Sequence, residues 1–262
     1  MRIALGVEYD GRPYFGWQSQ GGLATLQDAL QDAVSRIAAS HTPVFAAGRT
    51  DAGVHALEQV LHFDTAAVRP LSAWVRGVNA SLPDSISVRW AHVVPEDFHA
   101  RFSALARSYR YFLINRPVRP AVWAGKAGWF HLPLDMEAMQ EAALILTGEH
   151  DFSSFRAAEC QASTPVKCMQ SIDIRREGEM VVFDFTANAF LHHMVRNLVG
   201  SLIHVGKGKR PPSWMAELLE VRDRSLAAPT FMPDGLYLRR IRYDEKWGLP
   251  QIQERGSGIG DG

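Results

Sequence analysis

With 262 residues, 47% of them apolar, the chain is long enough for one large domain or two modest ones around a sizeable core. Its 28 basic and 28 acidic residues cancel, so whole-chain charge argues for no particular partner. Two cysteines, Cys160 and Cys168, fit neither a disulfide scaffold nor a common zinc pattern, and no apolar run approaches the length of a membrane span. Glu8 and Asp10 interrupt any signal-peptide core, so a reduced, cytoplasmic protein with no membrane segment is expected.

Arg2 to Tyr9 reads as a first strand. Asp10 to Gly22 follows as a long loop with four glycines and the aromatics Tyr14, Phe15 and Trp17. Such aromatics can stack on bases, although their commoner fate is to fold back and seal the underside of the loop. Thr25, with Asp28 three residues on, has the form of a capping box, and Leu26, Ala29, Leu30, Ala33, Val34 and Ile37 then recur at helical spacing. Pro43 to Ala47 and Leu57 to Phe63 read as strands, Pro70 to Leu82 as a short helix. Ile86, Val88 and Trp90 alternate with Ser85, Ser87 and Arg89 as a half-buried strand. The order β-α-β-β-α-β predicts a ferredoxin-like half over residues 1–103.

A second portion begins near Ala104. In the strand Ser108 to Ile114, Tyr109, Tyr111 and Leu113 share one face and Arg110 and Phe112 the other. Pro117 to Pro133 reads as irregular, Asp135 as the N-cap of a helix through Leu146, and Glu149 to Lys167 as a polar loop. Ser171 to Arg176 and Met180 to Thr186 form a predicted hairpin turning at Glu177-Gly178. Phe190 to Val205 is a predicted helix with Leu191, Met194, Val195, Leu198, Val199 and Leu202 on its apolar stripe. Its other face carries His192, His193, Arg196, Asn197 and Gly200. The paired histidines invite a metal reading, but neighbours on a helix point about 100° apart and no carboxylate lies nearby in sequence, so no metal is expected. Trp214 to Val221 reads as a helix and Leu236 to Tyr243 as a closing strand. With no Gly/Ser-rich linker between the portions, residues 1–103 and 104–247 are expected to share one sheet. Residues 248–262 are expected to form a disordered tail.

Two features point to function. The segment Gly48-Arg49-Thr50-Asp51-Ala52-Gly53-Val54-His55 lies between two predicted strands, where a chain presents side chains to a ligand rather than to a core. The competing reading is an Asx-type turn with Asp51 bonded to its own backbone. Second, Asp and Glu are absent from Phe98 to Leu134 and from Phe185 to Ala216, although these stretches carry Arg107, Arg110 and Lys207 among other cations. Such segments can line a groove for a polyanion such as a nucleic acid, with these three residues as candidate contacts; the alternative is a scatter of solvated charge.

Read together, the segments resemble the tRNA pseudouridine synthase A (TruA) family. The resemblance is carried by Tyr9-Asp10-Gly11 with Tyr14, Gly16, Trp17 and Gln18, and by Gly48 to His55. Asn79 with Leu82-Pro83, Phe98 to Phe102 and Tyr109-Arg110-Tyr111 continue it. Phe190 to Asn197 and Gly235 to Leu238 complete a set that spans nearly all of residues 1 to 247 in order. Only Thr230 to Asp234 departs in composition. The resemblance implies two ferredoxin-like halves in one mixed, mainly antiparallel sheet (an α+β fold) with a central RNA-binding cleft, working as a homodimer on tRNA. It implies isomerisation of uridine to pseudouridine at tRNA positions 38, 39 and 40, without metal or cofactor. Asp51 would be the catalytic carboxylate, Tyr109 the residue stacked on the base and Arg196 the cation paired with Asp51. Arg49 would hold the target nucleotide out of its stem, and Leu236 would join the substrate contacts. An inactive tRNA-binding or chaperone protein on the same fold is the alternative, against which the intact Asp51, Arg49, Tyr109 and Arg196 argue.

Overall fold

The computed structural model describes residues 1–160 and 162–250, so the expected tail lies outside the described residues from Gln251 onward. The first half runs β1 (Arg2–Tyr9), α1 (Leu26–Ala38), β2 (Phe45–Ala46), β3 (His55–Asp64), α2 (Leu71–Asn79) and β4 (Ile86–Val94). The second runs β5 (Ala104–Asn115), β6 (Gly128–Phe130), α3 (Met136–Ile145), β7 (Gly148–Asp151), β8 (Val166–Glu177), β9 (Met180–Ala187), α4 (Met194–Gly206), α5 (Trp214–Val221) and β10 (Leu236–Tyr243). All ten strands join one sheet in the order β4-β1-β3-β10-β5-β9-β8-β7, with β2 on β3 and β6 on β5. Pairing is antiparallel except between β3 and β10 and between β5 and β6, giving the mixed α+β sheet expected. No helix among the described residues is long and apolar enough to cross a membrane.

The sheet carries two hydrophobic cores. Thr25 caps α1 by accepting the Asp28 amide hydrogen, and the helix then buries Leu26, Leu30, Ala33 and Val34 with Trp74 of α2 and Phe63 of β3. Asp135 caps α3 in the same way through Ala138, and α3 packs with Leu198 and Leu202 of α4 over Phe183 and Phe185 of β9. Each such leucine or phenylalanine contributes roughly 1.5–3 kcal/mol through burial, so these two faces, rather than helix propensity, fix the helices.

The joint between the halves follows from the shortness of β2. Its two residues pair only with the far end of β3, Phe45 with His62 and Ala46 with Leu61. The opening residues of β3 are therefore free to accept β10, Tyr237 beside His55 and Leu238 beside Ala56. The loop from 47 to 54 enters β3 at this seam.

Several local expectations shift. Glu149 to Lys167 overlaps β7 and the start of β8, beside which β7 extends the sheet, and Pro117 to Pro133 contains β6. The helix expected from Phe190 begins only at Met194, because the backbone of His192 is engaged elsewhere: its N–H donates to Cys160 Sγ and its carbonyl accepts from the Ala157 amide. His193, at φ 61°, turns the chain into the helix. The first-loop aromatics divide. Tyr14 and Trp17 fold back into the core, and Phe15 stays 55% exposed.

A histidine in the first half generates a stability prediction. His62 is buried, and its Nδ1 accepts the Ala100 amide hydrogen at 3.2 Å. Burial, aided by the charges of His99 and Arg2, lowers its pKa from 6.5 to about 4. The fold thus holds the neutral ring, while the unfolded chain takes up a proton below pH about 6.5; stability present above that pH is lost as pH falls toward 4. Equilibrium denaturation at stepped pH should show this loss, up to about 3 kcal/mol at pH 4 from this residue. His62→Asn, which keeps an acceptor but does not titrate, should make the pH dependence shallower.

Candidate active site

The loop carrying Asp51 is held by contacts to its backbone. The Trp17 amide donates to Thr50 O at 2.9 Å, Tyr9 Oη lies 2.9 Å from Thr50 Oγ1, and fully buried Gln59 donates through Nε2 to Gly48 O at 2.7 Å. At the loop's end, the Gly11 amide donates to His55 Nδ1, His55 Nε2 lies 3.1 Å from Gly125 O, and the imidazole stacks on Tyr237. Burial keeps His55 below its ordinary pKa, which suits a neutral ring accepting at Nδ1 and donating at Nε2. The first loop reaches the Asp51 loop because of Gly16. Its φ is +91°, and a Cβ there would stand 2.9 Å from Thr50 O and 3.1 Å from the Ala52 nitrogen.

With the backbone so fixed, the Asp51 carboxylate faces the other half of the molecule. Arg196 Nη1 donates to Oδ2 at 3.1 Å, His192 Nε2 lies 3.2 Å from Oδ1, and His193 Nε2 lies 3.4 Å from Oδ2. The carboxylate is thus engaged across the seam rather than in an Asx turn. Burial works to raise its pKa, but the hydrogen bond from His192 and the charges of His193, His192 and Arg196 outweigh it. The carboxyl is held below its ordinary value and stays ionised. His192 is raised by that hydrogen bond, and His193 is lowered chiefly by burial. Arg196 is itself oriented, since its Nε donates to Phe231 O at 2.8 Å and its carbonyl accepts from the Phe231 amide. Gly200, one turn on in α4, lets the chain at Pro229 pack close, for a Cβ there would meet Pro229 O at 2.5 Å. Phe231, in the segment from Thr230 to Asp234, is thus what aims Arg196.

The other candidate residues differ in placement. Tyr109 lies between the two cores, its ring edge-on to Phe190 at 5.0 Å; burial and the nearby Asp51 charge push its hydroxyl well above the ordinary range. Arg49 is exposed, and among the described residues its guanidinium has no hydrogen-bond or ion-pair partner. Leu236 is buried at the start of β10, opposite Tyr111. The remaining cations stand apart from the carboxylate. Arg110 makes a two-pronged pair with Asp184, and Lys207 sits over the Phe130 ring at the far end of α4, roughly 17 Å along the helix from Arg196. Arg107 donates to the carbonyls of Ala104, Asn188, Ala47 and Arg101, which ties the start of the Asp51 loop to the approach to His192.

Against a metal at His192 and His193 the sequence offers two grounds: no carboxylate stands nearby, and a helix would part the rings. Both grounds fail. The carboxylate is Asp51, brought from the other half, and the rings, outside the helix, lie 4.0 Å apart. The repeated histidine in an acid-free stretch was the only available signal.

Replacing Gly16 with alanine tests how the loop is held. The positive φ and the contact with Thr50 O should cost about 1–3 kcal/mol, read as a lower midpoint in urea unfolding. An unchanged midpoint would mean that the first loop does not brace the Asp51 loop.

The comparisons with known proteins bear on this geometry. The tRNA pseudouridine synthase family profile matches residues 6–103 and 142–244. The chain is 61% identical over 250 residues to tRNA pseudouridine synthase A of Dechloromonas aromatica (strain RCB), covering 95% of both chains. It is 60% identical over 255 residues to the protein of that name from Methylobacillus flagellatus, covering 97% of this chain and 98% of the relative. A third relative of that name, from Chromobacterium violaceum, is 59% identical over 251 residues, covering 95% and 96%. The first matched segment contains Asp51 and the second Arg196, while Tyr109 lies in the gap between them; by the profile match and these relatives, the chain belongs to the tRNA pseudouridine synthase family.

Proposed function

We propose that this protein isomerises uridine to pseudouridine in tRNA, at positions 38, 39 and 40 of the anticodon stem-loop, with Asp51 as the reacting carboxylate. The observation that carries the reading is an ionised, largely buried carboxylate held between a guanidinium and two imidazoles at the joint of two halves. The reaction breaks the N1–C1′ bond, turns the uracil and forms a C5–C1′ bond. The hydrogen leaves C5 and N1 gains one, so no atom is added or lost. A carboxylate serves as nucleophile or base in such a sequence only while ionised; His192, His193 and Arg196 together hold it so, and Arg196 keeps its charge when desolvated.

The target base is stacked in the stem-loop and must be extruded, at about a few kcal/mol. Tyr109 offers a ring face worth roughly 1–3 kcal/mol against the extruded base. Arg49, exposed two residues before Asp51, is free to take the position the base leaves. Use of three neighbouring positions fits recognition of RNA shape rather than of one sequence. A cytoplasmic homodimer completes the reading, and light scattering of the purified protein tests the dimer.

Asp51→Ala should lower tritium release from tRNA labelled at uracil C5 by more than about 10³-fold while tRNA binding is retained. Arg196→Met should cost about 10²-fold or more, and Arg196→Lys less, because an ammonium keeps the charge but not the planar fork. Mass spectrometric mapping of the product tRNA checks the sites. Pseudouridine outside positions 38–40, or turnover by Asp51→Ala, would overturn the assignment.

A further inference from the structure

Besides Arg196, which supplies a permanent cation, two consecutive histidines face Asp51. Their placement is unusual. His193 adopts the left-handed conformation at φ 61°, a backbone state that non-glycine residues seldom occupy and that clusters at functional sites. It brings two consecutive imidazoles to the same side, with ring centroids 4.0 Å apart and both Nε2 atoms toward one carboxylate. On a continuous helix the rings would diverge.

One ligand atom each from Asp51, His192 and His193 can be chosen so that all three lie within 4.8 Å of one another. The two imidazole–carboxylate separations, 3.2 Å to Oδ1 and 3.4 Å to Oδ2, are close to the ligand–ligand edge of about 3.3 Å in a tetrahedron with bonds of about 2.0–2.1 Å, but they run to different oxygens, so one ring must turn toward the oxygen that the other faces. We propose that Asp51, His192 and His193 form a three-ligand site for a divalent transition metal of the zinc type, and that its occupation switches the isomerase off. Two imidazoles and one carboxylate favour Zn²⁺ and its neighbours over Mg²⁺ and Ca²⁺, which prefer all-oxygen sets. The histidine side chains are 41% and 29% exposed, so they can turn the small distance needed, and water completes the fourth position. A metal there withdraws the Asp51 lone pairs from the substrate. It also competes with the Arg196 guanidinium for Oδ2. Metal binding stands independently of the proposed function; the switch rests on Asp51 being the reacting carboxylate.

Cobalt(II) chloride reads the site without any turnover. Titrated into the tRNA-free protein at mildly alkaline pH, Co²⁺ should produce visible bands of four-coordinate intensity that Zn²⁺ abolishes. His192→Ala/His193→Ala should weaken Co²⁺ binding by more than about tenfold, and Arg196→Met, which removes the competing cation, should strengthen it. Circular dichroism checks that each variant is folded. The absence of bands in the wild-type protein, or their persistence in the double-histidine variant, overturns the site. A near-ultraviolet thiolate band would do the same by assigning the metal to Cys160. Zn²⁺ should then suppress pseudouridine formation reversibly on chelation, at the concentration that displaces Co²⁺. If the metal binds and activity persists, the switch fails; if Asp51→Ala also remains active, the failure lies in the assignment of Asp51.

Discussion

The contact between Asp51 and Arg196 joins residues 145 positions apart in the chain and lies across the seam between the two halves. A carboxylate this far removed from water tends to take up a proton unless opposite charge is supplied. The supply comes from His192, His193 and Arg196 of the other half, so the ionisation state of one loop depends on the relative placement of two cores. Breaking such a pair from one side leaves a desolvated charge and costs about 3–5 kcal/mol, part of which protonation recovers. Much of the surrounding structure serves to keep that geometry. Arg107 ties Ala47 to Asn188, the Phe231 carbonyl aims the Arg196 guanidinium, and buried Gln59 fixes Gly48.

Rigidity is distributed accordingly. Each half has its own apolar core, and the loop between β2 and β3 adds little apolar area of its own. It is positioned by hydrogen bonds to main-chain carbonyls, from Trp17 to Thr50 and from Gln59 to Gly48. This leaves the side chains of Arg49 and Asp51 uncommitted to packing. A scaffold that fixes the backbone of a loop and frees its side chains suits a site that must meet a large ligand.

The regular elements were legible wherever periodicity and capping coincide. Thr25 with Asp28 and Asp135 with Ala138 mark helix starts that the structure keeps, and the alternation of Tyr109, Tyr111 and Leu113 against Arg110 and Phe112 gave the faces of β5. What escaped was set by tertiary contacts. β7 is a short polar edge strand with no alternation to reveal it, and the apolar stripe through Leu191 continued the helical pattern past the point where Ala157 and Cys160 claim the His192 backbone. The partnership of the histidines with Asp51 was hidden for the same reason. No local pattern tells that a carboxylate from residue 51 meets imidazoles at 192 and 193.

The position of β10 has a consequence for the order in which the molecule can be made. It is the last of the described strands, yet it lies in the interior of the sheet, between β3 and β5. During synthesis the first half can complete its own core, but the opening end of β3 remains an unpaired edge until Leu238 has left the ribosome. β5 waits for the same strand on its other side. The nascent chain thus carries two open edges that only its final segment closes, and an edge left open invites pairing with other chains. A chain cut short before β10 loses both the seal and the join between its halves, so truncation near the C-terminus is a more severe lesion here than the loss of a peripheral strand.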